Sequence, residues 1–153
     1  MNPATFHLAL NHLPVVGAAF TLALLSWGLA RRSKDLVQVA LWITVFVAIA
    51  SYVAVATGER AEEFVEEATW FDEDVVHDHE ELGELAFKVM LATGLLALIA
   101  LWGMRGGREM KPLWPAITLA ALLISTGLLG WTAAKGGEIR HVEIRPGVEI
   151  LGD

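Results

Sequence analysis

The stretch VQVALWITVFVAIASYVAVAT, residues 37–57, contains no charged side chain and decides the fold class. It matches the ~20 consecutive apolar residues that a helix needs to cross a hydrocarbon core. Similar runs occupy residues 7–30 and 113–134, and a fourth, residues 74–104, is apolar from Leu85 onwards. Because backbone groups in lipid must pair with one another, we expect an all-α bundle of four transmembrane helices. The whole chain, residues 1–153, then forms a single membrane domain.

Composition restricts the chemistry that this chain supports. Hydrophobic residues make up 55% of the sequence and the mean hydropathy is +0.52, values too apolar for an ordinary soluble domain. The absence of cysteine excludes disulfides, thiolate zinc sites, cysteine-held iron–sulfur clusters and covalently attached c-type haem. No phosphate-binding glycine loop, nucleophile elbow or HExxH motif is present. Any metal must therefore be held by imidazole, carboxylate or thioether.

The distribution of charge predicts the topology. Both connections between paired helices are basic, with Arg31, Arg32 and Lys34 in the first and Arg105, Arg108 and Lys111 in the second. The positive-inside rule places these connections in the cytoplasm. Both termini, the acidic segment 58–84 and the tail 135–153 then lie outside the bacterial inner membrane. Twelve of the eighteen acidic residues fall between Glu59 and Glu84, so a nucleic-acid partner is excluded and a basic one is favoured.

All five histidines fall at the end of the bundle that this topology places outside, at positions 7, 12, 77, 79 and 141. A helical projection puts His79 on one face with Val76, Ala86, Met90 and Thr93, whereas His77 shares the opposite face with Glu81 and Glu84. We therefore expect His79 to point into the bundle and His77 to point toward water. Histidines can also be ordinary interface or core residues, so this clustering is a hypothesis of a site.

Neighbours of these histidines add detail to the candidate site. Gly83, one turn below His79, would leave room for a flat ligand beside the third helix. On the first helix His7 and His12 are about 140° apart, so they would serve neighbouring sites, and Asn11 between them could orient either ring. Pro14 follows and frees a backbone carbonyl.

The two segments outside the membrane have their own predicted structures. Residues 58–70, GERAEEFVEEATW, space apolar side chains along one stripe and predict a separate amphipathic helix over the outer mouth of the bundle. After the fourth helix, Gly136 and Gly137 predict a sharp turn. The following residues suggest a short extended or hairpin-like element that delivers His141 to the mouth and pairs Arg140 and Arg145 with the acidic segment. A plain surface flap is the alternative.

These features together resemble a family of uncharacterised bacterial four-helix membrane proteins that share a domain of unknown function. The resemblance rests on His7, His12 and Pro14, on the Gly58–Ala61 element with His79 and Gly83 downstream, and on the Gly136–Gly137 tail that leads to His141. Arg140 stands where the family more often has a tyrosine. The resemblance covers nearly the whole chain and implies a membrane location and redox or haem chemistry.

Three functions follow from this pattern. The first is a b-type haem protein for electron transfer, with His12 and His79 as first ligands and His7 and His141 as a second pair for a second haem. The protein would serve a larger redox complex, a basic soluble carrier or quinone, rather than act as a stand-alone enzyme. The second is an iron, copper or zinc site that joins histidines, His77 included, with Glu62, Glu66, Glu80 or Glu81. The third is a cofactor-free assembly subunit that binds lipid.

Overall fold

The computed structural model describes residues 2–106 and 112–145, which form four long helices. Helix α1 spans Pro3–Ala30, α2 spans Lys34–Val65, α3 spans Glu73–Gly103 and α4 spans Leu113–Arg140. Each of the four is long and apolar enough to cross a membrane. The all-α bundle expected from the sequence is therefore confirmed, and no strand occurs within the described ranges.

Side-chain caps and short connections fix where three of the helices begin. The Asn2 carboxamide accepts a hydrogen bond from the backbone N–H of Thr5, and Pro3 supplies a preset first helical residue. Ser33 caps α2 after a tight connection in which Arg32 has a positive φ. The Asp72 carboxylate caps α3 by accepting from the Val75 N–H, close to the start that the sequence predicted.

The helices pack in a ring in which each contacts the next along the chain and α1 closes on α4. Helices α1 and α3 therefore lie across the diagonal. Small residues let the backbones approach: a Cβ on Gly94 of α3 would come within 2.8 Å of the Ala48 Cβ on α2, and one on Gly17 would come within 2.8 Å of Val47. The core is aliphatic and small, and its largest fully buried members include Leu25, Leu41, Met90 and Leu122.

Buried hydroxyl groups inside the bundle all have partners. Each of them lies within hydrogen-bonding distance of the carbonyl one turn earlier in its own helix, an acceptor that requires no water; they are Thr21, Thr44, Ser51, Thr93, Thr118 and Ser125. The Thr93 and Ser125 hydroxyls also lie 2.9 Å apart, so one of the two donates to the other instead of to its own helix and links α3 to α4. This contact is a polar link within an otherwise apolar core.

Two helices are longer than the sequence predicted. The separate amphipathic helix expected over residues 58–70 is wrong, because α2 continues unbroken through Gly58 to Val65. A glycine inside a helix costs only about 1 kcal/mol, and burial of Ala61 helps to offset it. The sharp turn expected at Gly136 and Gly137 is also wrong, because α4 runs through both glycines to Arg140.

The tail after α4 differs from the extended element that the sequence suggested. Val142–Ile144 form one turn of 3-10 helix, and no strand forms up to Arg145. The remaining tail residues, 146–153, lie outside the described residues, as do Arg108 and Lys111 of the second basic connection. The described part of the tail folds back on the end of α4, since a Cβ on Gly137 would touch the Ile144 side chain.

Candidate functional site at the acidic end of the bundle

Four helix ends meet at one end of the bundle, here called the acidic end: the start of α1, the end of α2, the start of α3 and the end of α4. The segment from Glu59 to Glu84, with its twelve carboxylates, belongs to this end. The five histidines all lie here as well. Two of them, His7 and His79, are partly buried, and the other three are exposed.

His79 is half-buried between α3 and α4. Its Nδ1 lies 3.0 Å from the Thr132 carbonyl oxygen on α4. The ring fits into the space that Gly136 leaves, because a Cβ at that position would lie 2.9 Å from the His79 Cε1. A carbonyl oxygen only accepts hydrogen bonds, so Nδ1 must carry the proton in the neutral ring. Nε2 is then the nitrogen with the free lone pair.

His7 lies on the inward face of α1, which continues the spacing of the buried residues Pro14, Ala18 and Thr21. Its Nδ1 is 3.1 Å from the Thr57 hydroxyl on α2. That hydroxyl donates its own proton to the Val53 and Ala54 carbonyls, so toward His7 it acts as an acceptor. The neutral His7 ring therefore also carries its proton on Nδ1, and its lone pair lies on Nε2.

His7 and His79 form the inward pair of the acidic end. They come from the diagonal helices α1 and α3. Each ring is anchored to the neighbouring helix by an oxygen, His7 through Thr57 of α2 and His79 through Thr132 of α4. His7 thus links α1 to α2, and His79 links α3 to α4. Two imidazoles fixed in this tautomer present Nε2 as the nitrogen suited to a metal or a proton.

His12 lies on the opposite, outward side of α1. It is exposed, as are the residues one turn before and after it, Leu8 and Val16. Its Nδ1 donates to the Leu8 carbonyl at 2.6 Å, which again leaves the lone pair on Nε2. The structure thus places His12 on the outside of the bundle, whereas His79 faces inward. Asn11 is half-buried on the inward face with His7.

The two remaining histidines are on the surface. His77 is 67% exposed, and its Nε2 lies 3.5 Å from Glu81 one turn later, so it points away from the bundle as the helical projection predicted. His141 is exposed, and its Nδ1 lies 2.9 Å from a Glu143 carboxylate oxygen. The Glu143 backbone N–H and, second, His141 lower the pKa of that carboxyl. His141 is not directed into the bundle mouth.

Carboxylates gather beside His77 in a cleft of about 270 Å³ lined by Glu62, Glu73, Asp74, His77 and Glu80. These include three members of the mixed imidazole and carboxylate site that the sequence suggested. Over residues 2–106 and 112–145, no group of three or more such side chains is arranged to hold a metal ion. The cleft is an acidic surface feature in this structure.

The glycine expected to leave room for a ligand has another neighbour. A Cβ on Gly83 would meet the Thr132 methyl group at 3.6 Å, an ordinary van der Waals distance. An alanine at this position would therefore also fit against α4 beside His79. The space next to the ring is shaped by Thr132 and Gly136 of α4, both of which the sequence analysis missed as neighbours of His79.

The tail closes over the edge of this site through two arginines. The Arg145 side chain is only 13% exposed, and it donates to the Asp72 carboxylate at 2.8 Å and to the Glu138 and Ile139 carbonyls. The Arg140 guanidinium stacks 4.4 Å above the Trp70 ring. The sequence suggested a strand that pairs both arginines with the acidic helix. Instead, Arg145 contacts the cap of α3 and Arg140 contacts an aromatic ring in the connection between α2 and α3.

Oxygen partners of the inward histidines were the part of the site that sequence reasoning did not identify. Thr57 closes the apolar run of α2, whereas the partner at Thr132 is a backbone carbonyl, which no residue type signals. No protein-family model, no curated protein and no solved structure matches this chain.

Proposed function

We propose that this chain is an integral membrane redox protein that binds a b-type haem at its acidic end, with His79 as the first axial ligand and His7 as the second. One observation carries the proposal. Two imidazoles from diagonal helices each have Nδ1 held by an oxygen of the adjacent helix, which leaves both Nε2 lone pairs for a ligand. Metal-bound histidines commonly donate their other N–H to an oxygen in this way.

The donor set fits haem better than a small ion. Non-covalent haem takes axial imidazoles from facing elements in an apolar surrounding, and this chain has no cysteine to attach it otherwise. When bound, haem supplies one-electron transfer at its iron. The described residues contribute the orientation of both rings and an aliphatic core that excludes water. Nothing comparable supports a non-haem site, because the carboxylate-rich cleft lacks a metal-binding arrangement in the same residues.

The expected orientation in the membrane indicates the kind of partner that this redox site would meet. The basic connection at Arg31 and Arg32 favours the cytoplasm, so the acidic end would face the extracytoplasmic side of a bacterial inner membrane. The excess of carboxylates there would attract a soluble electron carrier with a basic docking face and raise its association rate at low ionic strength. A haem near one face does not carry an electron across the membrane alone. The chain would therefore act with other membrane redox subunits.

An absorption spectrum of the detergent-purified protein, recorded oxidised and then reduced, tests the proposal. A Soret band that shifts on reduction supports haem, and haem content should fall strongly in His79→Ala but not in the surface control His77→Ala. A colourless preparation with stoichiometric iron, copper or zinc by elemental analysis would indicate a metal-ion site instead of a haem site. A colourless, metal-free preparation would refute the proposal.

A further inference from the structure

A groove between α3 and α4 lies on the outside of the bundle, apart from the inward histidines. It encloses about 530 Å³ and is lined by Asp78, Glu81, Leu82, Glu84, Leu85, Lys88, Trp131 and Lys135. We call it the α3–α4 groove. Its lining contains both apolar and charged residues, although the two helices are apolar over most of their length.

The position of the groove coincides with the boundary of the apolar region. From Val89 to Met104 α3 carries no charged residue, and the same holds for α4 from Leu113 to Ala134. Lys88 and Lys135 are therefore the first charges at the acidic end of each apolar run. Trp131 is 59% exposed just inside Lys135, the position that tryptophan prefers at a membrane interface. The groove thus extends from the headgroup level into the hydrocarbon.

The charges in the groove favour one kind of headgroup. Two ammonium groups face three carboxylates of the lining; Lys88 contacts Glu84 at 2.7 Å, and Lys135 contacts Asp78 at 3.5 Å and Glu138, beside the groove, at 3.1 Å. The third carboxylate, Glu81, is 72% exposed and has only the loose contact with His77. A purely anionic headgroup would meet more negative than positive charge. A zwitterionic headgroup matches both signs, with its phosphate toward the lysines and its cation toward Glu81.

We infer that the α3–α4 groove binds a zwitterionic phospholipid that carries a primary ammonium, of the phosphatidylethanolamine type. A primary ammonium donates hydrogen bonds to carboxylates, whereas a quaternary choline group has no N–H to donate. The acyl chains continue past Trp131 along the uncharged parts of α3 and α4, whereas Leu82 and Leu85 lie on the headgroup side of Lys88. The site is independent of the proposed haem, because it needs neither His7 nor His79.

Quenching of Trp131 fluorescence by brominated lipid tests the inference. Nanodiscs would contain phosphatidylethanolamine, phosphatidylglycerol and phosphatidylcholine in equal amounts, with only one of the three brominated in its acyl chains. The Trp131 signal is the difference between the native protein and Trp131→Phe. Brominated phosphatidylethanolamine should quench it about two- to fivefold more than either other lipid, the ratio that one exposed ion pair supplies, because the phosphate contact is common to all three lipids. Trp102, 70% exposed and measured through Trp102→Phe, should show no preference.

Charge-neutral variants complete the test. Glu81→Gln should abolish the preference at Trp131, and Glu67→Gln, an equal loss of charge at another exposed position, should leave it unchanged. Equal quenching of Trp131 by all three lipids would overturn the inference, as would stronger quenching by phosphatidylglycerol or by phosphatidylcholine. A preference that persists in Glu81→Gln would overturn the assigned role of that carboxylate.

Discussion

Replacing Gly136 by alanine would test the packing that holds His79 in place. The three atoms nearest to the new methyl group would all belong to the His79 ring, at 2.9, 3.2 and 3.6 Å. The shortest distance is below what real Cβ atoms show, so the ring must move and its hydrogen bond to the Thr132 carbonyl must lengthen. Overpacking of this kind typically costs about 1–3 kcal/mol. Alanine in a helix returns about 0.5–1 kcal/mol relative to glycine.

The net expectation is a loss of about 0.5–2 kcal/mol in the free energy of unfolding for Gly136→Ala. In a His79→Ala background the obstacle is gone, so the same substitution should stabilise the protein by about 0.5–1 kcal/mol. The difference between the two backgrounds is a coupling energy of about 1–3 kcal/mol. Gly130→Ala is the matched control, because a Cβ there has no neighbour within 4 Å and should stabilise α4 in both backgrounds.

Reversible unfolding of the four proteins in mixed detergent micelles measures this coupling. An effect of Gly136→Ala that is the same with and without His79 would refute the reasoning. It would mean that the His79 ring does not lie against α4. The spectrum of any bound cofactor provides a second readout, because displacing the ring should alter it in Gly136→Ala but not in Gly130→Ala.

Three further perturbations follow from the contacts around the site. Arg145→Met should lower the free energy of unfolding by about 1–3 kcal/mol, because the Asp72 carboxylate and two backbone carbonyls lose a hydrogen-bond donor. The control Arg60→Met should have little effect in the same thermal scan. Thr93→Val should lower the free energy of unfolding by about 0.5–1 kcal/mol through the lost contact with Ser125. In a Ser125→Ala background the same substitution should have no further effect. Glu143 has a lowered pKa in the folded protein, so its contribution to stability is present above the ordinary value of 4.5 and is lost as the pH falls through the folded value. Carboxyl ¹³C NMR should show that pKa rising only part of the way in His141→Gln, because the backbone hydrogen bond is the larger cause; a complete return to 4.5 would contradict this.

The fold was predictable because membrane helices follow from composition. Uncharged runs such as residues 37–57 require backbone pairing in lipid, and Asp72 gave a recognisable start for α3. The errors concern glycines. Gly58, Gly136 and Gly137 were interpreted as helix breaks, yet each lies inside a helix. There each glycine either has a close neighbour or occupies a position at which the helix tolerates it. Whether a glycine ends a helix or lies within it depends on the element packed against it, and the sequence alone does not identify that element.

Prediction of the candidate site was divided in a similar way. The inward face of α3, with His79 opposite His77, follows from helical periodicity within one element and agrees with the observed burial. The choice between His7 and His12 depends on the rotation of α1 about its own axis. That rotation is set by Pro14, Ala18 and Thr21 packing against other helices. The oxygens of Thr57 and Thr132 depend further on the relative depth of neighbouring helices, which no local pattern encodes.

The comparison of His7→Ala with His12→Ala is the measurement that tests the central claim most directly. Both variants remove one imidazole from α1, one on the inward face and one on the outward face. Haem content of the purified proteins should fall strongly in His7→Ala, as in His79→Ala, and should stay near the native level in His12→Ala. Loss of haem in His12→Ala with retention in His7→Ala would contradict the assignment of the inward pair.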